Sequence, residues 1–212
     1  MAMKFSNKYE AKKKRIANLP KIQGEICMAL LKKDADGLVK EFHNGIKNNT
    51  LDLEPLAPAT IQYKTDNNLP RPEAPLYAHG DDEKDRSYVN MLQVKKLKNC
   101  YKVVPSKKKH HTSDLPLDVL LQIHEYGAII KVTEKMRGYL HSIGIHLSPT
   151  KTTITIPPRP AFLNAYNRVV EKRMKDSRET SAEVQKAMAK LINDANDSYV
   201  RKLIKKYENA NV

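Results

Sequence analysis

The longest stretch of ordered apolar spacing lies between residues 22 and 46. There Ile22, Ile26, Leu30, Leu31, Ala35, Leu38, Val39, Phe42 and Ile46 recur at steps of three and four. Such spacing places them on one face of an amphipathic helix. Pro20 is read as the start of that helix, since proline is tolerated in a first turn. The charged stretch 7–18 before it is read as a separate short segment. Gly37 weakens the helix by about 1 kcal/mol relative to Ala. Asn44-Gly45 or Asn48-Asn49 ends it.

Residues 51–90 break the pattern. Pro55, Pro58, Pro70, Pro72 and Pro75 lie close together there. Proline fixes φ and lacks an N–H, so an irregular extended arm is expected, with one helical turn over 60–64. Asp81, Asp82 and Glu83 read as an exposed loop or a helix start. Residues 93–97 and 100–104 form two short runs around Lys98-Asn99, a hairpin pattern. A helix is expected over 117–126, stopped by Gly127, with Leu117, Leu120, Leu121 and His124 on one face. A strand follows over 129–133. A short helix over 134–142 turns Met136, Tyr139 and Leu140 inward. Alternating Thr and Ile over 152–156 predict a half-buried strand, ended by Pro157-Pro158. From Phe162 a helical pattern runs to Met174, and 176–180 reads as a polar break. Thr180 and Glu183 have capping-box spacing. Helical spacing then continues from Val184 through Leu203 and Ile204 to about Tyr207.

These elements predict an α+β chain: a long N-terminal helix, a small, mostly antiparallel sheet with packing helices, and a helical C-terminal extension. By segment, 1–50 is an N-terminal helical part and 51–175 an α+β core with the Pro-rich arm 51–90. Residues 176–212 are the extension. The Pro-rich segment 51–75 and the C-terminal helix are the candidates for arms that reach other subunits, because neither looks able to bury its own apolar face alone.

Charge changes this picture less than its size suggests. The 212 residues carry a formal charge of +14, which points first to a polyanion. The excess is +6 over 1–50, −1 over 51–100, +3 over 101–150 and +6 over 151–212. The runs Lys12, Lys13, Lys14, Arg15 and Lys107, Lys108, Lys109 are candidate contacts to a polyanion or an acidic partner. Few aromatics interleave with them, so stacking on single strands is not indicated. No apolar run approaches the roughly 20 residues of a membrane span. The basic first fifteen residues lack the apolar centre of a secretory signal, so a protein made in a reducing compartment is expected.

Candidate chemistry is sparse. His124-Glu125 suggests a zinc helix, but the second His falls on Ala128. His110-His111 lies on a Lys-rich loop. His141 and His146 suit neither a helix face nor a strand face. Cys27 is expected to be packed, and Cys100 sits between lysines. The seven glycines form no phosphate-binding loop. The chain is therefore read as a non-enzyme with no catalytic residues, metal or cofactor.

One set of motifs is more specific. The stretch 154–163, Ile-Thr-Ile-Pro-Pro-Arg-Pro-Ala-Phe-Leu, resembles the strand and I-P-x-R-P-F signature of bacteriophage virion-morphogenesis proteins, the neck or tail-completion proteins of tailed phages. Residues 123–127, Ile-His-Glu-Tyr-Gly, resemble their h-E-f-G element. Residues 56–64 resemble L-x-P-x-T-x-x-x-K, and Pro75-Leu76 with Gly80 resembles P-L-x-x-x-G. The four elements occur in family order over about 55–165. Ala161 departs from the family by displacing Phe162 one position. The resemblance implies a structural protein of the head–tail joint that acts by docking during virion assembly. It implies a virion location after assembly in the host cytoplasm. It also implies self-association in a ring, a hexamer being the candidate, with other neck and tail proteins as partners and DNA contact secondary. Glu125, Gly127, Pro158, Arg159, Pro160 and Phe162 are the implied assembly residues. The prolines around Arg159 stiffen the backbone, and a charge-assisted Arg159–Glu125 pair is expected. A basic nucleic-acid-binding protein is the alternative.

Overall fold

The computed structural model describes residues 2–77, 86–111, 115–194 and 198–209, with side chains left out at 2–13, 15 and 191–200. The acidic cluster 81–83 and Gly80 lie outside the described residues, as do the side chains of Lys12, Lys13 and Arg15. The elements are α1 (Ala2–Lys47), α2 (Pro58–Asp66), β1 (Leu92–Lys96), β2 (Tyr101–Pro105), α3 (Leu117–Tyr126), β3 (Ala128–Lys131), α4 (Glu134–Ser142), β4 (Thr153–Ile156), α5 (Ala161–Asp194) and α6 (Ser198–Asn209). The expected α+β class holds, with the strands divided into two ribbons, β1–β2 and β3–β4. In the second, Ala128 pairs with Ile156 and Ile130 with Ile154, antiparallel.

The chain forms two compact units that cut across the linear division by segment. One comprises 1–40, 94–103 and 168–212; the other comprises 41–93 and 104–167. In the first, Ile26 and Ala29 of α1, Ala187 of α5, and Leu203 and Tyr207 of α6 form a buried cluster. Val184 and Met188, four residues apart on α5, pack against it. Arg173 pairs with Asp34 at 3.2 Å. Glu183 accepts from Lys206 at 2.7 Å and from the Tyr207 hydroxyl at 2.8 Å, which holds its carboxyl below the usual range. The C-terminal helix thus buries its own apolar face within the chain, contrary to the expectation of an unsatisfied arm.

Three further readings are corrected in this unit. α1 passes through Pro20 without a break. Proline removes one helical N–H, but Pro20 and Ile16, whose carbonyl loses that bond, are both exposed, so water can take it. α5 runs through 176–180, where Thr180 Oγ1 donates to the carbonyl of Asp176 at 3.0 Å. That is the back-bond of a helix-interior threonine, so Thr180 is no cap. Cys27 is exposed, because the buried face takes its neighbours Ile26 and Ala29.

In the second unit the last turns of α1 bury Phe42 and Ile46, and Leu51, Tyr88, Val89, Met91, Leu117, Ala161 and Ala165 are also buried. Phe42 and Tyr88 stack at a tilt, with ring centroids 5.8 Å apart. α3 has the expected bounds, and so does α4, where Thr133 Oγ1 accepts the Met136 N–H as an N-cap. Tyr139 does not turn inward; it is 61% exposed. The arm 51–77 is irregular around α2, as expected, with Asp52, Asn68, Arg71 and Leu76 at positive φ. It nevertheless buries Leu51 and Ala74 within its own unit, so the premise of a dangling arm fails here too.

Candidate functional site

Every assembly residue implied by the resemblance falls in the second unit, where α3, the ribbon β3–β4 and the start of α5 meet. Gly127 ends α3 at φ +73°, a region that side-chain-bearing residues avoid. A Cβ built there would lie 2.7 Å from the carbonyl oxygen of Ile156 and 3.1 Å from the nitrogen of Pro158. Only glycine lets the end of β4 pass this close, and that fixes where 157–160 runs.

The Glu125 carboxylate accepts the N–H of Phe162 at 2.7 Å and of Leu163 at 3.3 Å. These are early α5 amides without helical partners, and Pro160 offers no side-chain acceptor. Glu125 therefore caps α5 from a distant helix and places a negative charge at its positive end. Burial pushes its carboxyl above the usual range, against the pull of the two N–H groups.

Arg159 is 7% exposed and turns away from Glu125. Its Nε donates to the carbonyl of Glu54 at 2.7 Å and its Nη2 to that of Pro55 at 2.9 Å. Its N–H donates to the carbonyl of His124. The expected Arg159–Glu125 ion pair is absent. Each group has a backbone task instead, the cation on orphan carbonyls and the anion on orphan amides. Asn164 Nδ2 adds a bond to the carbonyl of Leu51 at 2.7 Å. Ala161, the departure from the motif, is fully buried and carries no bulk, while Phe162 is half-buried and Pro158 exposed.

Sequence reasoning missed two other clamps. Lys64 is buried, and its Nζ donates to the carbonyls of Arg71, Ala74 and Tyr77 at 3.2, 2.9 and 3.0 Å. Arg137 donates to the carbonyls of Leu147, Ser148 and Lys151 at 3.2, 2.8 and 2.8 Å. The prolines at 70, 72 and 75 carry a faint signal of the first, since backbone without N–H groups leaves carbonyls without ladder partners, and Lys64 closes the 56–64 motif.

Beside these clamps Tyr88 and His124 meet edge to face, centroids 5.1 Å apart. The Tyr88 hydroxyl and His124 Nδ1 are buried without partners. Burial drives the tyrosine's pKa upward; burial and the Arg159 charge push the imidazole's down to about 4. A cavity of about 400 Å³ lies under the arm and is lined by α2, α3, Tyr88 and Arg159.

Lys107, Lys108 and Lys109 are exposed together, and so is Lys14. Rings of His110 and His111 stack at 4.4 Å, and those of His141 and His146 meet edge to face at 4.3 Å, a proximity the spacing did not suggest. No described helix is long and apolar enough to cross a membrane. Compared with family models, curated proteins and solved structures, the chain matches none.

Proposed function

We propose that this protein is a structural component of the head–tail joint of a tailed phage, a neck or tail-completion protein acting by docking during virion assembly. One observation carries the reading: specific polar contacts join the motif elements to one another or to the backbone directly beside them. Lys64, the last residue of 56–64, holds the carbonyl of Tyr77 beside Pro75-Leu76. Arg159, in 154–163, holds the carbonyls just before 56–64. Glu125, in 123–127, holds the first amides of α5. Residues far apart in sequence thus serve one piece of backbone geometry, with few conformations to lose on docking.

On this reading the protein has no catalytic role. It forms a closed ring through heterologous contacts, a hexamer being the stoichiometry to test, and meets other neck and tail proteins in the virion. Deleting its gene from the phage genome and imaging the lysate by electron microscopy tests this. Filled heads beside unjoined tails are expected; normal infectious particles overturn it. The exposed run Lys107–Lys109 supports the second reading, a nucleic-acid-binding protein. That reading predicts an affinity for DNA that falls steeply with salt.

A further inference from the structure

The lining of the cavity under the arm combines apolar walls with buried charge. Leu56, Tyr63, Leu69, Leu76 and Leu120 supply walls, and Lys64 and Arg159 are its two cations. No carboxylate is among its lining residues. Lys64 is committed to three carbonyls. Arg159 is committed only in part: Nε and Nη2 are used, and Nη1 has no partner among the described residues. A guanidinium this deeply buried carries a desolvation cost that two neutral carbonyls and the charge of Glu54 offset only partly. Its free edge is a planar donor pair, the geometry that matches a carboxylate.

We propose that this cavity binds a small amphipathic carboxylate, its anionic head on Arg159 Nη1 and its apolar body against the leucines and tyrosines of the arm and α3. The volume, about 400 Å³, lies in the range of small-molecule sites. The charge selects an anion, and the walls select an apolar body. A free acid fits better than the C-terminus of a peptide. A peptide would bring backbone N–H and C=O groups against walls with few partners for them, whereas an alkyl chain brings none.

The test is a titration of the full chain, isotopically labelled at leucine methyls and arginine side chains, with octanoate, octanamide, and a short peptide ending in leucine. Octanoate is expected to shift the methyls of Leu56, Leu69, Leu76 and Leu120 and the Arg159 side-chain signal, saturably. The amide is expected to bind about tenfold more weakly or worse, having lost the charged contact. Thr60→Trp, at an exposed lining position on α2, is expected to block binding without touching any clamp. It serves as the second variant if Arg159→Lys does not fold. Equal binding of acid and amide, shifts scattered over surface lysines, or unchanged binding by Thr60→Trp each overturn the proposal. Tighter binding of the peptide than of octanoate overturns the free-acid assignment.

Discussion

Replacing His124 with phenylalanine isolates the energetic consequence of a buried, unpartnered imidazole. Its Nδ1 is sealed without a partner, its ring lies edge-on to Tyr88, and Arg159 lies close enough to oppose its protonation. The folded pKa is lowered from 6.5 to about 4, first by burial and then by that charge. In the unfolded chain the same ring takes a proton near its ordinary value. The unfolded state therefore binds more protons between those limits. This group's contribution is complete above about pH 6.5 and is lost progressively as pH falls toward 4, at most about 1.4 kcal/mol per pH unit. Across the whole window the loss is about 3 kcal/mol. Phenylalanine keeps an aromatic edge on Tyr88, removes the orphan nitrogen and cannot titrate, and the backbone carbonyl that Arg159 uses is unchanged. At pH 7 the variant is expected to lie within about 1 kcal/mol of the parent, because no side-chain bond is lost. Urea unfolding at several pH values through the window measures both proteins. Other groups titrate equally in the two, so the quantity read is their difference, which should move toward the variant as pH falls. A difference that stays flat, or an imidazole seen by NMR to titrate near 6.5, refutes the reasoning.

Three further predictions follow from the clamps and from α1. Glu125→Ala removes the cap of α5 and is expected to cost about 2 kcal/mol in unfolding experiments, with faster amide exchange at Phe162 and Leu163; Glu125→Gln, which keeps one acceptor, is expected to cost about half. Lys64→Met leaves three carbonyls without their shared donor and is expected to cost about 3 kcal/mol, read as early proteolysis and fast exchange confined to 65–77. Gly45→Ala and Gly37→Ala are expected to move thermal stability in opposite directions. A Cβ at position 45 would sit within 2.8 Å of three side-chain carbons of buried Leu51, an overpacking cost of about 1–3 kcal/mol. One at position 37 meets nothing within 4 Å and gains about 1 kcal/mol of helix propensity.

Much of the fold was legible in local pattern. The bounds of α3 and α4, the β1–β2 hairpin and, as the second of two expected stops, the end of α1 before Asn48-Asn49 follow from periodicity, Gly127 and turn residues, because those signals act within a few residues. The two long helices were harder. Pro20 carries a start signal and Thr180 a cap signal, which water and an i−4 back-bond neutralise. The structure gathers the motif side chains in one unit, but Arg159 and Glu125 are not the pair that the sequence suggested. Opposite charges at 125 and 159 suggest each other when only sequence is at hand. Which carbonyls and amides a turned backbone leaves unsatisfied depends on the path of the chain, and no spacing encodes that path.

The same point revises the meaning of the positive charge. Lys64, Arg137 and Arg159 face the chain's own backbone rather than a partner, each donating to two or three carbonyls. Irregular segments with several prolines and positive-φ residues cannot pair their carbonyls in a ladder, and a cation with several N–H donors satisfies two or three of them at once. A lysine or arginine in such a unit thus does for loops what a strand does for its neighbour. Part of the basic composition follows from building a compact unit with the short ribbon β3–β4 and a long arm. The charge that bears on function is then the exposed part, Lys107 among it, together with the free edge of Arg159, which suits an anion much smaller than a nucleic acid.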